Sequence, residues 1–428
     1  MADFQTVPHS MTNSHLKPAD ADQALDAVRW AVAEEEPIEV AGRGTKRTFG
    51  RPFQTTHTLD LSELTGVTLY EPEELVLSAR AGTPLAEIET MLAEKRQQLA
   101  FEPNDLGPLL GGEAGRQTLG GVIACNLGGP RRIAAGAARD HMLGCRGISG
   151  RGEAFKAGGR VVKNVTGYDL PKLLTGSFGT LAVLTDITVK VLPAPGDVRT
   201  VLIHGLADDA GIFALSEALQ TSFEVSGAAH LPAGAAAAIG VPEVAGIGAA
   251  VTAVRLEGFG PSVAYRAGKL RDLLARHGAI TELEAEPSRA LWRAIRDVRP
   301  FWVDPIRADP GRFIWKLSVP PSQGARVVAT ITTLRSGEAF YDWGGGAIWL
   351  ALDPVNNAGH GGAGQEVVRG AIGSAGGYAT LIRAPETVRA AADVFQPQPR
   401  ALAGLTARVK ESFDPKRILN PGRMYAGV

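Results

Sequence analysis

Residues 158–185 read GGRVVKNVTGYDLPKLLTGSFGTLAVLT. Glycine at this density makes a poor helix, because each one gives up more backbone freedom on folding than any other residue. The run is nevertheless too ordered in pattern for a linker, and it closes on a clean β-strand, TLAVLT. A chain that must accommodate such a segment folds with backbone brought close to something. The reading here is a loop that wraps a phosphate-bearing cofactor, with Arg160 and Lys163 offering charge.

Three further segments share that character. VAGRGTKRTFG (40–50) is a strand running into Gly42 and Gly44 around Arg43, then Thr45 and Lys46, a pattern whose successive N–H groups form an anion-binding nest. RQTLGGVIACNLGG (116–129) sets Thr118 and the Gly120-Gly121 pair before a small-residue helix, whose start offers N–H donors and the positive end of a dipole. The fourth is ILNPGRMY near the C-terminus. None of these four loops matches the strict GxGxxG dinucleotide fingerprint or the Walker A pattern, which argues against NAD(P) and nucleoside-triphosphatase readings. From Arg116 to Lys163 there are nine Lys/Arg against two Asp/Glu, a local surplus that calls for an anion or an acidic partner.

A chain of 428 residues is expected to form two or three domains. Its formal net charge of −1 argues against a dedicated nucleic-acid binder. Cys125 and Cys145 cannot make a disulfide framework, and they lack the clustering of a zinc or iron–sulfur site. The first twenty residues have no apolar h-region, so no secretion signal is expected and the location expected is cytoplasmic. LPAGAAAAIGVPEVAGIGAAVTAV (231–254) reads as helix, turn and small-residue strand, not as a membrane span. Helical periodicity is expected over 19–36 and 261–278, and strands at PIEVAG, RFIWKLSV and AIWLAL. TLAVLTDITVKVLP reads as a strand pair, and Pro193–Gly196 marks a boundary.

In order and content these loops resemble the flavoproteins with a PCMH-type FAD-binding domain, the vanillyl-alcohol oxidase superfamily. Within it, LAFEPNDLGPLLG, TLGGVIACNLGGPRRIAAGAARDHMLG, GRGEAFKAGGRVVKNVTGYDLPKLLTGSFGTLAVLT and FDPKRILNPGRMY are similar to the E-subunit family of bacterial glycolate oxidase (glycolate dehydrogenase). The resemblance implies an α+β fold: two α+β subdomains holding FAD, an α/β cap domain, and a C-terminal tail that returns to the flavin. The corresponding ranges are 1–29 (N-terminal extension), 30–195 (FAD-binding domain), 196–400 (cap) and 401–428 (tail).

Carried over by position, Gly42, Arg43, Gly44, Thr45 and Lys46 would cradle the pyrophosphate, with Pro103, Asp105, Thr118, Gly120, Gly121 and Asn126 opposite. Lys163, Asn164, Gly167, Tyr168 and Asp169 fall in a third contact segment. Gly176, Gly179, Thr180 and Val183 would run along the flavin, and Asn420 and Arg423 would approach its ring. Two alternatives stay open at the third segment: Tyr168 packing the turn and Asp169 capping the helix at DLPKLL. No His precedes His57 in the first loop, and Cys125 reads as a buried small residue, so the FAD is expected to be non-covalent.

Oxidising a 2-hydroxy acid takes a cation for the carboxylate, a base for the hydroxyl proton and a flavin hydride acceptor. Related dehydrogenases carry a His-rich metal motif on the cap, whereas the eight His here (9, 15, 57, 141, 204, 230, 277 and 360) show no metal-ligand spacing. No catalytic base is evident. Arg296, Arg299, Lys316 and Tyr341 are the remaining candidates, each with a structural alternative, and Trp343 reads more simply as core. The resemblance therefore implies a dependent subunit. It would oxidise glycolate to glyoxylate together with a second FAD-binding subunit and an iron–sulfur subunit, passing electrons to these partners and not to NAD, with inner-membrane contact only through them. A self-sufficient FAD oxidoreductase on another hydroxy acid or alcohol, and a non-catalytic flavin-fold scaffold, are the alternatives.

Overall fold

The computed structural model describes residues 14–160, 167–303, 311–354, 362–373 and 375–428. The first helix, Ala21–Glu34, is started by the Asp20 carboxylate accepting from Gln23 N–H (2.8 Å) and stopped by Glu35 in the left-handed region (φ 56°). Its buried stripe of Ala24, Val28 and Ala31 packs on Ile38 and Leu59 of a three-stranded parallel sheet. That sheet runs Ser14–Leu16, His57–Asp60, Ile38–Ala41, so residues 14–29 belong to the first layer of the fold and do not hang from it as an extension.

A second, antiparallel sheet of five strands follows in the order Val67–Glu71, Val76–Arg80, Ala182–Lys190, Met142–Ser149, Ala154–Gly158. Its central strand is one unbroken element of nine residues where the sequence reads as a strand pair; Leu192–Pro193 forms a separate short pairing with Gln97–Gln98. The rest of the chain up to Arg383 builds an eight-stranded antiparallel sheet. Helices Asp208–Leu219 and Gly260–Leu274 bury Ala214, Leu215, Leu270 and Leu274 against Val201, Ile203 and Val254 of that sheet. Helix Ala285–Arg296 covers the opposite face, where Trp292 Nε1 and Ser288 Oγ both meet Thr200 Oγ1 (2.8 and 2.6 Å). Residues 231–254 resolve into the end of one strand, two short helices and the strand Val251–Gly258. Among the described residues no helix is long and apolar enough to cross a membrane.

The C-terminal helix Arg400–Phe413 leads back to the first sheet. There Ile38 N–H donates to Ile418 O (2.8 Å) and Asn420 N–H to Ile38 O (3.1 Å), so the tail adds a parallel rung at that sheet's edge. Ile418 and Leu419 are fully buried in the same core as Ile38 and Val183.

Candidate functional site

Strand Ile38–Ala41 delivers the chain into the turn 42–47, closed by Arg47 N–H donating to Gly44 O (3.1 Å) with Gly44 at φ +72°. Among the described residues, the N–H groups of Arg43, Gly44, Thr45 and Lys46 donate to no protein acceptor. Gly42 is forced by close approach: a Cβ there would lie 2.7 Å from Thr118 Oγ1. Lys46 reaches inward from this turn, its Nζ near Thr45 Oγ1 (3.1 Å) and Gln117 Oε1 (3.5 Å). No described carboxylate lies within ion-pair distance of it, and burial pulls its pKa down.

Across from the turn stand Thr118, Gly120, Gly121, Ala124 and Cys125 on the six-residue helix Leu119–Ala124 and its cap. The donors expected at this helix start are already taken: Leu119 N–H goes to Thr83 O (3.0 Å), Gly120 N–H to Ala81 O (2.8 Å) and Gly121 N–H to the Thr118 hydroxyl (3.3 Å). This wall therefore contributes shape and small side chains, while the free N–H groups sit on the 42–47 turn.

Phe178, Gly179, Ala182 and Leu184 make a third wall, and Asn420 and Arg423 a fourth. The Asn420 amide bridges two of these walls, accepting from Val40 N–H (2.8 Å) and donating to Phe178 O (2.7 Å). Arg423 Nη2 donates to Lys46 O and Arg47 O (2.8 Å each), and burial holds its pKa down to about 10. It thus props the turn of the first wall from below. The four walls enclose two connected hollows of ≈ 550 and ≈ 490 Å³, mouths included, which share Val40, Ala41, Gly42, Thr118, Gly121, Ala124 and Phe178.

An elongated cleft with free N–H groups at one turn and two cations lacking a carboxylate partner suits an extended dianionic dinucleotide. The residues present thus fit FAD, with the diphosphate against residues 43–46 and Lys46.

Other positions expected at the cofactor lie elsewhere. Val183 points away, into the core with Ile38, Leu59, Ile418 and Leu419; strand alternation gives the cleft to Ala182 and Leu184 instead. Asp105 clamps its own loop, accepting from Gly107 and Gly115 N–H (3.1 and 2.6 Å), and Pro103 is buried beside it. Asn126 (φ +48°) accepts from Arg139 N–H (3.0 Å). Gly176 ties its N–H to Ile123 O (3.0 Å), and the Thr180 hydroxyl donates to Ser177 O (2.8 Å). Lys163 and Asn164 lie outside the described residues. Gly167 is exposed, Tyr168 is 90% exposed, and Asp169 caps the helix Leu170–Leu174 through Lys172 N–H (3.3 Å). Cys125 is half-buried on the cleft wall, not enclosed in the core, and Phe53 and Phe178 join it there without a sequence signal that singled them out.

The basic surplus of residues 116–163 is dispersed. Arg131 pairs with Glu257 and Glu102, Arg116 with Glu113, Arg160 with Glu71, and Arg151 donates to Ser412 O. None of these four lines either hollow, although Arg116 borders the outer side of the 42–47 turn with Gly42, Arg43 and Gly44.

The catalytic candidates do not converge on the cleft. Arg296 is held bidentately by Asp297 (2.8 Å twice), and Arg299 stacks over Trp302 (5.7 Å). Tyr341 is fully buried and donates to Asp208 Oδ2 (2.6 Å); burial, with that hydrogen bond second, pushes its pKa up. Lys316 lies between the rings of Trp343 (4.8 Å) and Trp349 (5.0 Å), and Arg132 stacks on Trp343 as well (4.8 Å). Burial, reinforced by Arg132, lowers the Lys316 pKa to about 8, and burial raises neighbouring Asp342 to about 7. Trp343 is left-handed (φ 54°) and donates Nε1–H to Gly129 O (3.1 Å), so it joins the cap to the FAD-binding region and is not simply core. Among the described residues no group of three or more His, Cys, Asp or Glu is placed to hold a metal ion; His9 and His360 lie outside them.

Comparison with known proteins bears on the family and the fold. Residues 14–158 match the family model described as "FAD binding domain". The glycolate oxidase subunit GlcE of Escherichia coli (strain K12) is 33% identical over 413 residues, spanning 96% of this chain and 99% of that protein. The glycolate oxidase subunit GlcD of Bacillus subtilis (strain 168) is 24% identical over 97% of this chain and 90% of its own length. In fold, the chain is similar to p-cresol methylhydroxylase with substrate bound (TM-score 0.70, 14% identity, 96% of this chain and 88% of that one). A 4-ethylphenol oxidase from Gulosibacter chungangensis, solved with isoeugenol, is similar to the same degree (TM-score 0.69, 14% identity, 96% and 89%). Near-complete coverage at that identity decides the matter: the chain belongs to the GlcE family and is an FAD-dependent oxidoreductase subunit with a PCMH-type fold.

Proposed function

We propose that this chain is one flavin subunit of a multi-subunit complex that oxidises glycolate to glyoxylate. A second FAD-binding subunit and an iron–sulfur subunit would take the electrons onward, without NAD. FAD, when bound, supplies the two-electron acceptor. The chain's own residues bind its diphosphate through the 43–46 turn and Lys46, shape the cleft through Thr118 and Gly121, and fix two of its walls through Asn420.

One observation carries the dependent-subunit reading. The cofactor cleft is fully built, while on the cap Arg296 and Tyr341 are committed to Asp297 and Asp208 and none of the candidates lines the cleft. The test is a glycolate assay with an artificial dye on the purified, FAD-loaded chain. No turnover alone and turnover on adding the partner subunits is expected; robust turnover alone would overturn the proposal.

A second reading, a self-sufficient FAD oxidoreductase on another hydroxy acid, is favoured by Lys316 and Arg132. These two cations flank Trp343 and make no ion pair among the described residues, so together they are suited to a carboxylate. Flavin bleaching by a panel of 2-hydroxy acids without partners, lost in Lys316→Met, would establish it.

A further inference from the structure

Outside the lining of the cleft, Lys410 and Asp414 form an ion pair with side chains only 1% and 0% exposed. The pair is fully satisfied. Lys410 Nζ spends its three protons on Asp414 Oδ2 (2.7 Å), Thr180 O (2.7 Å) and Leu419 O (2.9 Å). Asp414 in turn accepts from Ile418 N–H (3.0 Å) and Leu419 N–H (2.8 Å), and Gly150 has room for no side chain because its Cβ would sit 2.3 Å from Asp414 Oδ1. A buried pair is seldom a net source of stability, so its connections matter more than its charge.

Those connections end one residue short of the cleft on two walls. Thr180 follows Gly179, and Leu419 precedes Asn420. Asn420 is a non-glycine residue held at φ +43°, a conformation that persists only where its surroundings over-determine it. Its amide then spans Val40 and Phe178, and three residues later Arg423 props the carbonyls of Lys46 and Arg47.

We propose that Lys410 and Asp414 are positioning residues for the cofactor. They bolt the tail to the strand that starts after Thr180, so that Asn420 and Arg423 hold the FAD-binding turn in register. The proposal rests on the cleft being the FAD site. A purely structural role would make the pair's loss equivalent to any other core defect; a positioning role makes FAD affinity fall out of proportion to stability.

The experiment measures FAD affinity by flavin fluorescence, together with thermal unfolding of the FAD-free chain, for wild type, Lys410→Met, the isosteric Asp414→Asn and a control, Leu270→Ala, in the core of the cap sheet. Asp414→Asn keeps the shape of the site should Lys410→Met fail to fold. Amide exchange at Leu419 and Asn420 is followed in the same samples. Expected is a loss of about tenfold or more in FAD affinity for the pair variants, the scale seen for residues supporting a site's direct ligands, with faster exchange at 419–420. Leu270→Ala should lower the unfolding temperature while leaving affinity within about twofold. Unchanged affinity in folded Asp414→Asn, or an equal loss in Leu270→Ala at matched stability, overturns the proposal alone. A wild-type chain that binds no FAD overturns the cofactor reading beneath it.

Discussion

Lys46 concentrates the electrostatics of the cleft in one side chain. Its ammonium is desolvated without a carboxylate partner, so burial holds its pKa below the usual lysine value, and a diphosphate bound there as proposed would raise it again. Binding therefore takes up a proton, and FAD affinity is expected to fall as pH rises through the free-protein pKa; titrations of affinity against pH check this, and Lys46→Met flattens the profile. That variant loses one charge-assisted contact, about 1.5–3 kcal/mol or roughly 10–100-fold in affinity.

Lys316 gives a prediction of a different kind. Its folded pKa of about 8 lies below the unfolded value, so between pH 8 and the ordinary lysine range the unfolded chain binds more protons and stability rises with pH. Below pH 8 the burial penalty is fully present. Lys316→Met is expected to stabilise the chain by about 1–3 kcal/mol near pH 7, with the gain vanishing toward pH 10 in denaturant titrations. A constant effect across that range would contradict the assignment.

At the scale of elements, the cap sheet is joined to the FAD-binding region by a ring of four charges. Arg255 donates to both Glu102 oxygens (2.8 and 2.9 Å), and Arg131 to both Glu257 oxygens (3.0 and 2.7 Å); Arg131 also meets Glu102 (3.2 Å). Removing one member strands its partner, so Arg255→Met is expected to cost about 3–5 kcal/mol and to separate the unfolding of the two regions in calorimetry. A single cooperative transition with wild-type stability would show the ring to be incidental.

The same scale shows what the sequence could and could not reveal. Gly42, Gly44 and Gly179 stand out in the sequence because close backbone approach or positive φ leaves few residues to choose from at those positions. Val183 was not, since alternation fixes that every second residue shares a face but not which face meets the cofactor. Two donors of the helix Leu119–Ala124, on Leu119 and Gly120, are consumed by carbonyls of residues 83 and 81, a long-range pairing that no local motif announces. Asp169 resolved toward its capping alternative, and Arg423 supports the first turn through its carbonyls.

Across the whole molecule, segments centred near residues 43, 120, 179 and 421 meet at one cleft, and the sheets and the returning tail exist to bring them there. On the cap, Arg296 and Tyr341 are tied to Asp297 and Asp208 and none of the catalytic candidates lines the cleft, which is why the chain is expected to need other subunits for turnover. The measurement that bears most directly on this account is the structure of the FAD-loaded chain. The diphosphate oxygens should lie within hydrogen-bond distance of the N–H groups of residues 43–46 and of Lys46 Nζ, with the rest of the molecule extended between Thr118–Cys125 and Phe178–Gly179. FAD seated anywhere else, or a cleft left empty at saturating FAD, would contradict it.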